Sequence, residues 1–156
     1  MLALVVDDSR TTRTTLACAL SSFGFDTVEA DNVRTGLEAL RAMPVPPDVV
    51  VVDGSMPELD GLEFVSEVRS QPAWRTVRIM MVTGDSDQRR IVRAFAAGAH
   101  EYLIKPFTVG TIHDRLRLLG LVGEATGEPR SRGYTRRETG TGLTASAEHM
   151  FAAAGA

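Results

Sequence analysis

Asp48-Val49-Val50-Val51-Val52-Asp53-Gly54-Ser55-Met56-Pro57 is the stretch whose reading decides the fold. Four successive valines are too few for a helix, and their branching at Cβ suits a strand buried on both faces. The run stops on a carboxylate, Asp53, and a glycine follows. Pro44, Pro46 and Pro47 lie just before it and end whatever helix precedes them.

Working outward, the same theme repeats. Residues 2–6 form a short apolar run that ends in Asp7 and Asp8. A helix over 10–22 follows, with Leu16, Ala17 and Leu20 at helical spacing, Phe23 beyond them, Ser9 as N-cap and Gly24 as the stop. Residues 26–30 are a brief strand candidate, and Asn32 caps a helix over 33–43 with Leu37 and Leu40 facing inward.

Beyond Asp53, a helix opens at Asp60 or Gly61 and turns Leu62, Val65 and Val68 inward. Residues 79–82 form another short apolar run, followed by Thr83-Gly84. A helix over 85–97 places Ile91 and Phe95 four apart, and Gly98 closes it. Residues 102–104 make a fifth strand, ending at Lys105-Pro106. A last helix over 111–119 carries Ile112, Leu116 and Leu119.

Five strands alternating with five helices imply an α/β fold, a doubly wound five-stranded parallel sheet with right-handed crossovers. Sites in such sheets form outside the carboxyl ends of the strands. The polar residues there are Asp7, Asp8, Asp53, Thr83 and Lys105. Four different strands should therefore bring them to one edge.

Composition sets bounds. The chain has 156 residues, 44% hydrophobic and 24% charged, with a net charge of -3 that gives no general reason to expect a nucleic-acid surface. No apolar run reaches the length of about 18 residues that a membrane span needs, and the opening residues lack the basic region of a signal peptide. Cys18 is the only cysteine, so the expected setting is reducing and cytoplasmic, with Cys18 packed beside Leu16 and Leu20. Of the 17 basic residues only Lys105 is lysine. A chain that uses arginine everywhere else has a reason for a compact point charge there.

The domain should end near residue 121. Residues 122–156 are rich in Gly, Thr, Ala, Ser, Glu and Arg and read as a largely disordered tail, with a weak helical signal over 145–154. Arg130, Arg132, Arg136 and Arg137 are balanced there by Glu124, Glu128, Glu138 and Glu148.

Three carboxylates in one confined site repel one another, and a bound cation is a usual remedy. An all-oxygen site with room for water and phosphate suits Mg²⁺. Phosphoryl transfer needs positioning and charge stabilisation on the equatorial oxygens, which a metal, the Lys105 ammonium and the Thr83 hydroxyl can share. Asp53 is then the nucleophile and becomes an acyl phosphate. Gly84 leaves space for access.

Val5-Val6-Asp7-Asp8-Ser9-Arg10, the run from Asp53 to Gly61, Val82-Thr83-Gly84 and the run from Tyr102 to Thr108 together resemble the receiver domain of two-component response regulators, over residues 1 to about 120. The resemblance implies a flavodoxin-like receiver fold in which Asp8, Asp53 and the backbone carbonyl of Ser55 hold the metal and Asp7 acts through water. It also implies a cis Lys105-Pro106 bond and a histidine kinase or phosphotransfer protein as phosphodonor. Tyr102 resembles the family's aromatic switch position, with its ring turning inward as Thr83 moves toward the new phosphoryl group. A downstream protein would then be met by the face of the fourth helix, fifth strand and fifth helix. Arg89, Arg90 and Arg93 should stand on its exposed side, where they suit an acidic partner and equally well a solvated helix face. Ser55 and Asp85 sit where side chains affect water attack on the acyl phosphate.

The expected role is a stand-alone, chemotaxis-type switch with only self-directed phosphotransfer and autodephosphorylation, and no membrane or nucleic-acid partner. A cell-cycle or phosphorelay shuttle fits nearly as well. A phosphatase resembling haloacid dehalogenases also combines Asp, Thr, Lys and Mg²⁺, but needs a second Asp where Ser55 stands. A DNA-binding regulator would use the tail arginines, for which no groove-reading element is visible.

Overall fold

The valine run forms a strand because nothing in it can face water. In the computed structural model, β3 (Val49–Asp53) is buried at every position and occupies the centre of the sheet. The structure describes residues 1–56, 61–84, 86 and 88–123. The expectations for the tail, for Asp85 and for a helix start at Asp60 lie outside them.

The sheet also contains β1 (Leu2–Val6), β2 (Asp26–Ala30), β4 (Arg78–Thr83) and β5 (Glu101–Ile104), in the order β2-β1-β3-β4-β5, all parallel. Alternation along the strands divides the core in two. Leu4, Val6, Val50, Val52, Ile79 and Met81 face one side, with Leu40 of α2 (Val33–Ala42), Phe64, Val65 and Val68 of α3 (Gly61–Ser70) and Ala94 of α4 (Gln88–Ala97). Ala3, Val5, Val49, Val51, Met80 and Val82 face the other, against Leu16 and Leu20 of α1 (Arg10–Ser22) and Ile112 and Leu116 of α5 (Val109–Leu118). Burying one such side chain contributes about 1.5–3 kcal/mol. The doubly wound sheet is as expected.

Helix ends follow local chemistry. The Ser9 hydroxyl accepts from the Thr12 N–H at 3.3 Å, as an N-cap should, and Gly24 takes φ +94° just past α1. Asn32 and Thr35 cap α2 reciprocally, while Met43 is its C-cap rather than its last residue. Thr108 and Thr111 form a second reciprocal cap, which starts α5 two residues earlier than periodicity suggests. A 3-10 turn at Pro72–Trp74, not anticipated, precedes β4.

Two packing expectations are corrected. Cys18 is exposed. It lies two residues from both Leu16 and Leu20, and that spacing puts it on the opposite face of the helix. In α4, Phe95 is 45% exposed, and Ala94 is the residue wholly inside. No helix among the described residues is long and apolar enough to cross a membrane.

Candidate functional site

The carboxyl ends of the strands bring the expected residues together. Asp7 and Asp8 follow β1, Asp53 and Thr83 are the last residues of β3 and β4, and Lys105 follows β5. Asp7, Asp53 and Thr83 are buried, Lys105 is half-buried and Asp8 is exposed. One carboxylate oxygen from each of Asp7, Asp8 and Asp53 lies within 4.8 Å of the others.

The Lys105 ammonium is shared, 3.3 Å from Asp7 Oδ2 and 3.6 Å from Asp53 Oδ2. One cation cannot neutralise three carboxylates. Burial, first of all, raises the Asp53 pKa above its ordinary value. The Ser55 N–H opposes that shift and Asp7 adds to it; Lys105 then lowers it and Asp8 raises it. A further hard cation would relieve this surplus, and the oxygen-only donor set fits Mg²⁺.

Backbone contacts hold the cluster in shape. Asp7 Oδ1 accepts the Ser9 N–H at 2.8 Å, and Asp53 Oδ1 accepts the Ser55 N–H at 3.1 Å. The Lys105 N–H donates to Thr83 O at 2.8 Å, tying the ends of β4 and β5. The peptide bond between Lys105 and Pro106 is cis, as expected. The Ser55 and Thr83 hydroxyls lie 3.5 Å apart. An open cleft lined by Asp53, Ser55, Thr83, Gly84, Ser86 and Lys105 leads to the acidic cluster. A side chain added at Gly84 would meet nothing within 4 Å, so access there is open.

Several participants escaped the sequence. Ser86 lines the cleft without belonging to any strand end. Arg13 of α1 donates to Asp7 O at 2.8 Å while pairing with Glu29 of β2 at 3.2 Å. Arg90, expected on the exposed side of its helix, is half-buried and donates to Gly54 O at 3.0 Å; Arg89 and Arg93 are exposed as expected. Tyr102, expected to turn inward, is already buried, at 7% exposure.

Comparison with known proteins agrees with this geometry. Residues 3–117 match the response regulator receiver domain. The chain is 34% identical to chemotaxis protein CheY1 of Helicobacter pylori over 122 residues, covering 76% of this chain and 96% of that protein. It is 35% identical over 131 residues to the chemotaxis protein CheY homolog of Campylobacter jejuni, covering 82% and 97%. The crystal structure of CheY4, a chemotaxis protein of Vibrio cholerae, superposes with a TM-score of 0.71 at 30% identity, covering 76% of this chain and 97% of that one. Since the match runs through the four strand ends that carry Asp7, Asp8, Asp53, Thr83 and Lys105, the chain belongs to the response regulator receiver family and carries a CheY-like receiver domain.

Proposed function

We propose that Asp53 is the phosphoacceptor of this receiver, and that phosphorylation there is the input to a two-component switch. The observation that carries this reading is the buried Asp53 carboxylate, 3.6 Å from the Lys105 ammonium and open to a cleft that Thr83 also lines.

Asp53 attacks phosphorus through a carboxylate oxygen, and the bond from phosphorus to the donor breaks as the new O–P bond forms. The Ser55 N–H holds Oδ1 and so fixes the rotation of the nucleophile. Lys105 supplies a fixed positive charge against the negative charge that the equatorial oxygens gather, and Thr83 offers a hydroxyl from the adjacent strand. Asp8, Asp53 and the Ser55 carbonyl would hold Mg²⁺, with Asp7 behind them. When bound, that ion offsets the charge of the incoming phosphoryl group.

A histidine kinase or phosphotransfer protein is the fitting donor, in the cytoplasm, for a domain spanning residues 1–121. The output face is formed by α4, β5 and α5. Val92, Phe95 and Ile104 are 65%, 45% and 39% exposed there, beside the exposed Arg89 and Arg93. A groove between α4 and β5 is lined by Ile91, Phe95, Tyr102, Ile104, Pro106 and Arg115. Such a surface suits a protein target with apolar and acidic side chains. Thr83 and Tyr102 are the switch residues that connect it to Asp53, through new charge-assisted bonds at the phosphoryl group. The chain acts as a switch, with turnover limited to its own phosphorylation and dephosphorylation. The phosphatase and DNA-binding alternatives gain no support from the relatives it matches.

The test is intact-protein mass after incubation with acetyl phosphate, with and without Mg²⁺, for wild type and Asp53→Asn. One Mg²⁺-dependent phosphoryl adduct, absent from the variant, is expected. No adduct on wild type, or an equal adduct on Asp53→Asn, overturns the assignment.

A further inference from the structure

We infer that Arg90 is a positioning residue for the phosphoacceptor, acting on Asp53 through the single peptide group that joins Gly54 to Ser55. The inference rests on the proposed role of Asp53, since that is the group positioned.

The two ends of this peptide are engaged by different partners. Its carbonyl, on Gly54, accepts from Arg90 Nη2 at 3.0 Å. Its N–H, on Ser55, donates to Asp53 Oδ1 at 3.1 Å. A trans peptide is planar, so its C=O and N–H point in opposite directions and rotate as one body. Whatever fixes the carbonyl therefore aims the N–H. Here the carbonyl is fixed by a guanidinium 36 residues away in sequence, on the first turn of α4.

Among the described residues, the carbonyl of this peptide is held by Arg90 and the backbone before it by the sheet. The Gly54 N–H, in the preceding peptide, donates to Val82 O at 3.2 Å and continues the β3–β4 ladder. A Cβ at Gly54 would lie 3.2 Å from both Met81 Sδ and Thr83 Cβ, so the chain runs close against β4. The ladder thus sets where the Gly54 backbone lies, and the Arg90 contact sets how the next peptide is turned.

Charge strengthens the effect. A hydrogen bond from a guanidinium is stronger than a neutral one, and bonding at a peptide carbonyl polarises its N–H into a better donor. The Ser55 N–H is thereby both aimed and strengthened toward the carboxylate. Arg89 and Arg93 lie on the same helix but are exposed, so the role belongs to Arg90 by position and not by charge.

The test compares wild type, Arg90→Ala, Arg90→Lys and Arg89→Ala as full chains. Amide hydrogen exchange at Ser55, followed by NMR without Mg²⁺ or phosphodonor, reads the peptide directly. The rate of adduct formation at saturating acetyl phosphate and Mg²⁺ reads its consequence. Arg90→Ala is expected to expose the Ser55 amide to exchange and slow adduct formation about tenfold, the scale of one charge-assisted bond. Arg90→Lys should restore part of both, and Arg89→Ala should match wild type in both. A folded Arg90→Ala protein with wild-type Ser55 exchange overturns the inference, as does an unchanged rate. Absence of an adduct on wild type would instead remove the Asp53 assignment, while the exchange result would still decide whether Arg90 holds the peptide.

Discussion

Replacing Gly61 by alanine sets two opposed effects against each other, and the geometry decides between them. A glycine in a helix ordinarily gains up to about 1 kcal/mol on becoming alanine, because the unfolded chain loses freedom. Gly61 opens α3, and a Cβ there would collide with the carbonyl oxygen of Asp53 and lie 2.9 Å from Gly54 Cα and 3.1 Å from Asp53 C. All three atoms are backbone at the end of a buried central strand, so no side chain can rotate away. Overpacking costs about 1–3 kcal/mol, and rigid opposing atoms place this case in the upper half. The net expectation is a loss of about 1–2 kcal/mol. With a mid-range urea slope of about 2 kcal/mol per molar, the denaturation midpoint should fall by about 0.5–1 M at constant slope. Adduct formation should slow as well, because the atom displaced belongs to Asp53 itself. Gly110→Ala is the matched control. It lies in the first turn of α5, and its Cβ would meet only Thr108 Oγ1, at 3.6 Å. Its midpoint should hold or rise slightly. A Gly61→Ala protein as stable as wild type would refute the reasoning.

Three further outcomes are expected. Arg69→Met removes donors to the carbonyl oxygens of Gly98, Trp74, Arg75 and Val77, at 3.1, 3.2, 3.3 and 2.6 Å. Urea denaturation should show a loss of about 3 kcal/mol, with adduct formation unchanged because these groups lie at the opposite end of the sheet. His100 Nδ1 faces two donors, the Ile79 N–H at 3.1 Å and Arg69 Nη2 at 3.3 Å, which places the ring proton on Nε2. Burial, then Arg69 and Arg78, hold its pKa below the ordinary value. Its contribution is therefore complete above pH ~6.5 and is lost as pH falls below that value toward the folded-state pKa. The wild-type urea midpoint should drop on acidification through that window, and His100→Gln should drop less; equal drops would contradict it. Without Mg²⁺, Asp53→Asn should be more stable than wild type, since it removes a carboxylate whose ionisation burial opposes. Mg²⁺ at ten times its dissociation constant should then stabilise wild type by about 1.4 kcal/mol and the variant hardly at all, as read by thermal unfolding.

Most of the fold was legible because its strands are short, apolar and bounded by caps and glycines. The valine run could be nothing but a buried strand, and the parallel topology followed from alternation. The charged cluster was legible for a related reason: each member ends a strand, so sequence position and spatial position coincide. What escaped is what depends on reach. Arg13 and Arg90 touch the site only through long side chains and backbone carbonyls, and one guanidinium in a run of arginines looks like the next. Gly61 matters through the closeness of α3 to β3, a distance that no pattern of residue types records. Cys18 is different: its spacing from Leu16 and Leu20 already placed it on the far face of α1, and the composition of its neighbours misled. The early start of α5 was hidden because Val109, 53% exposed, adds nothing to an apolar stripe.

The two ends of α4 are held in unequal ways, and this makes the helix a lever. Its far end is a fulcrum: the Gly98 carbonyl is bound by Arg69, and the His100 N–H donates to Ile79 O at 2.8 Å. Its near end reaches the phosphoacceptor loop through Arg90. A rod pivoted at one tip can only swing, and its travel shrinks linearly toward the pivot. With a rise of about 1.5 Å per residue, one ångström at Gln88 becomes about 0.6 Å at Val92 and about 0.3 Å at Phe95. A partner that grips the helix near Val92 would therefore feel a phosphorylation event about twice as strongly as one that grips it near Phe95.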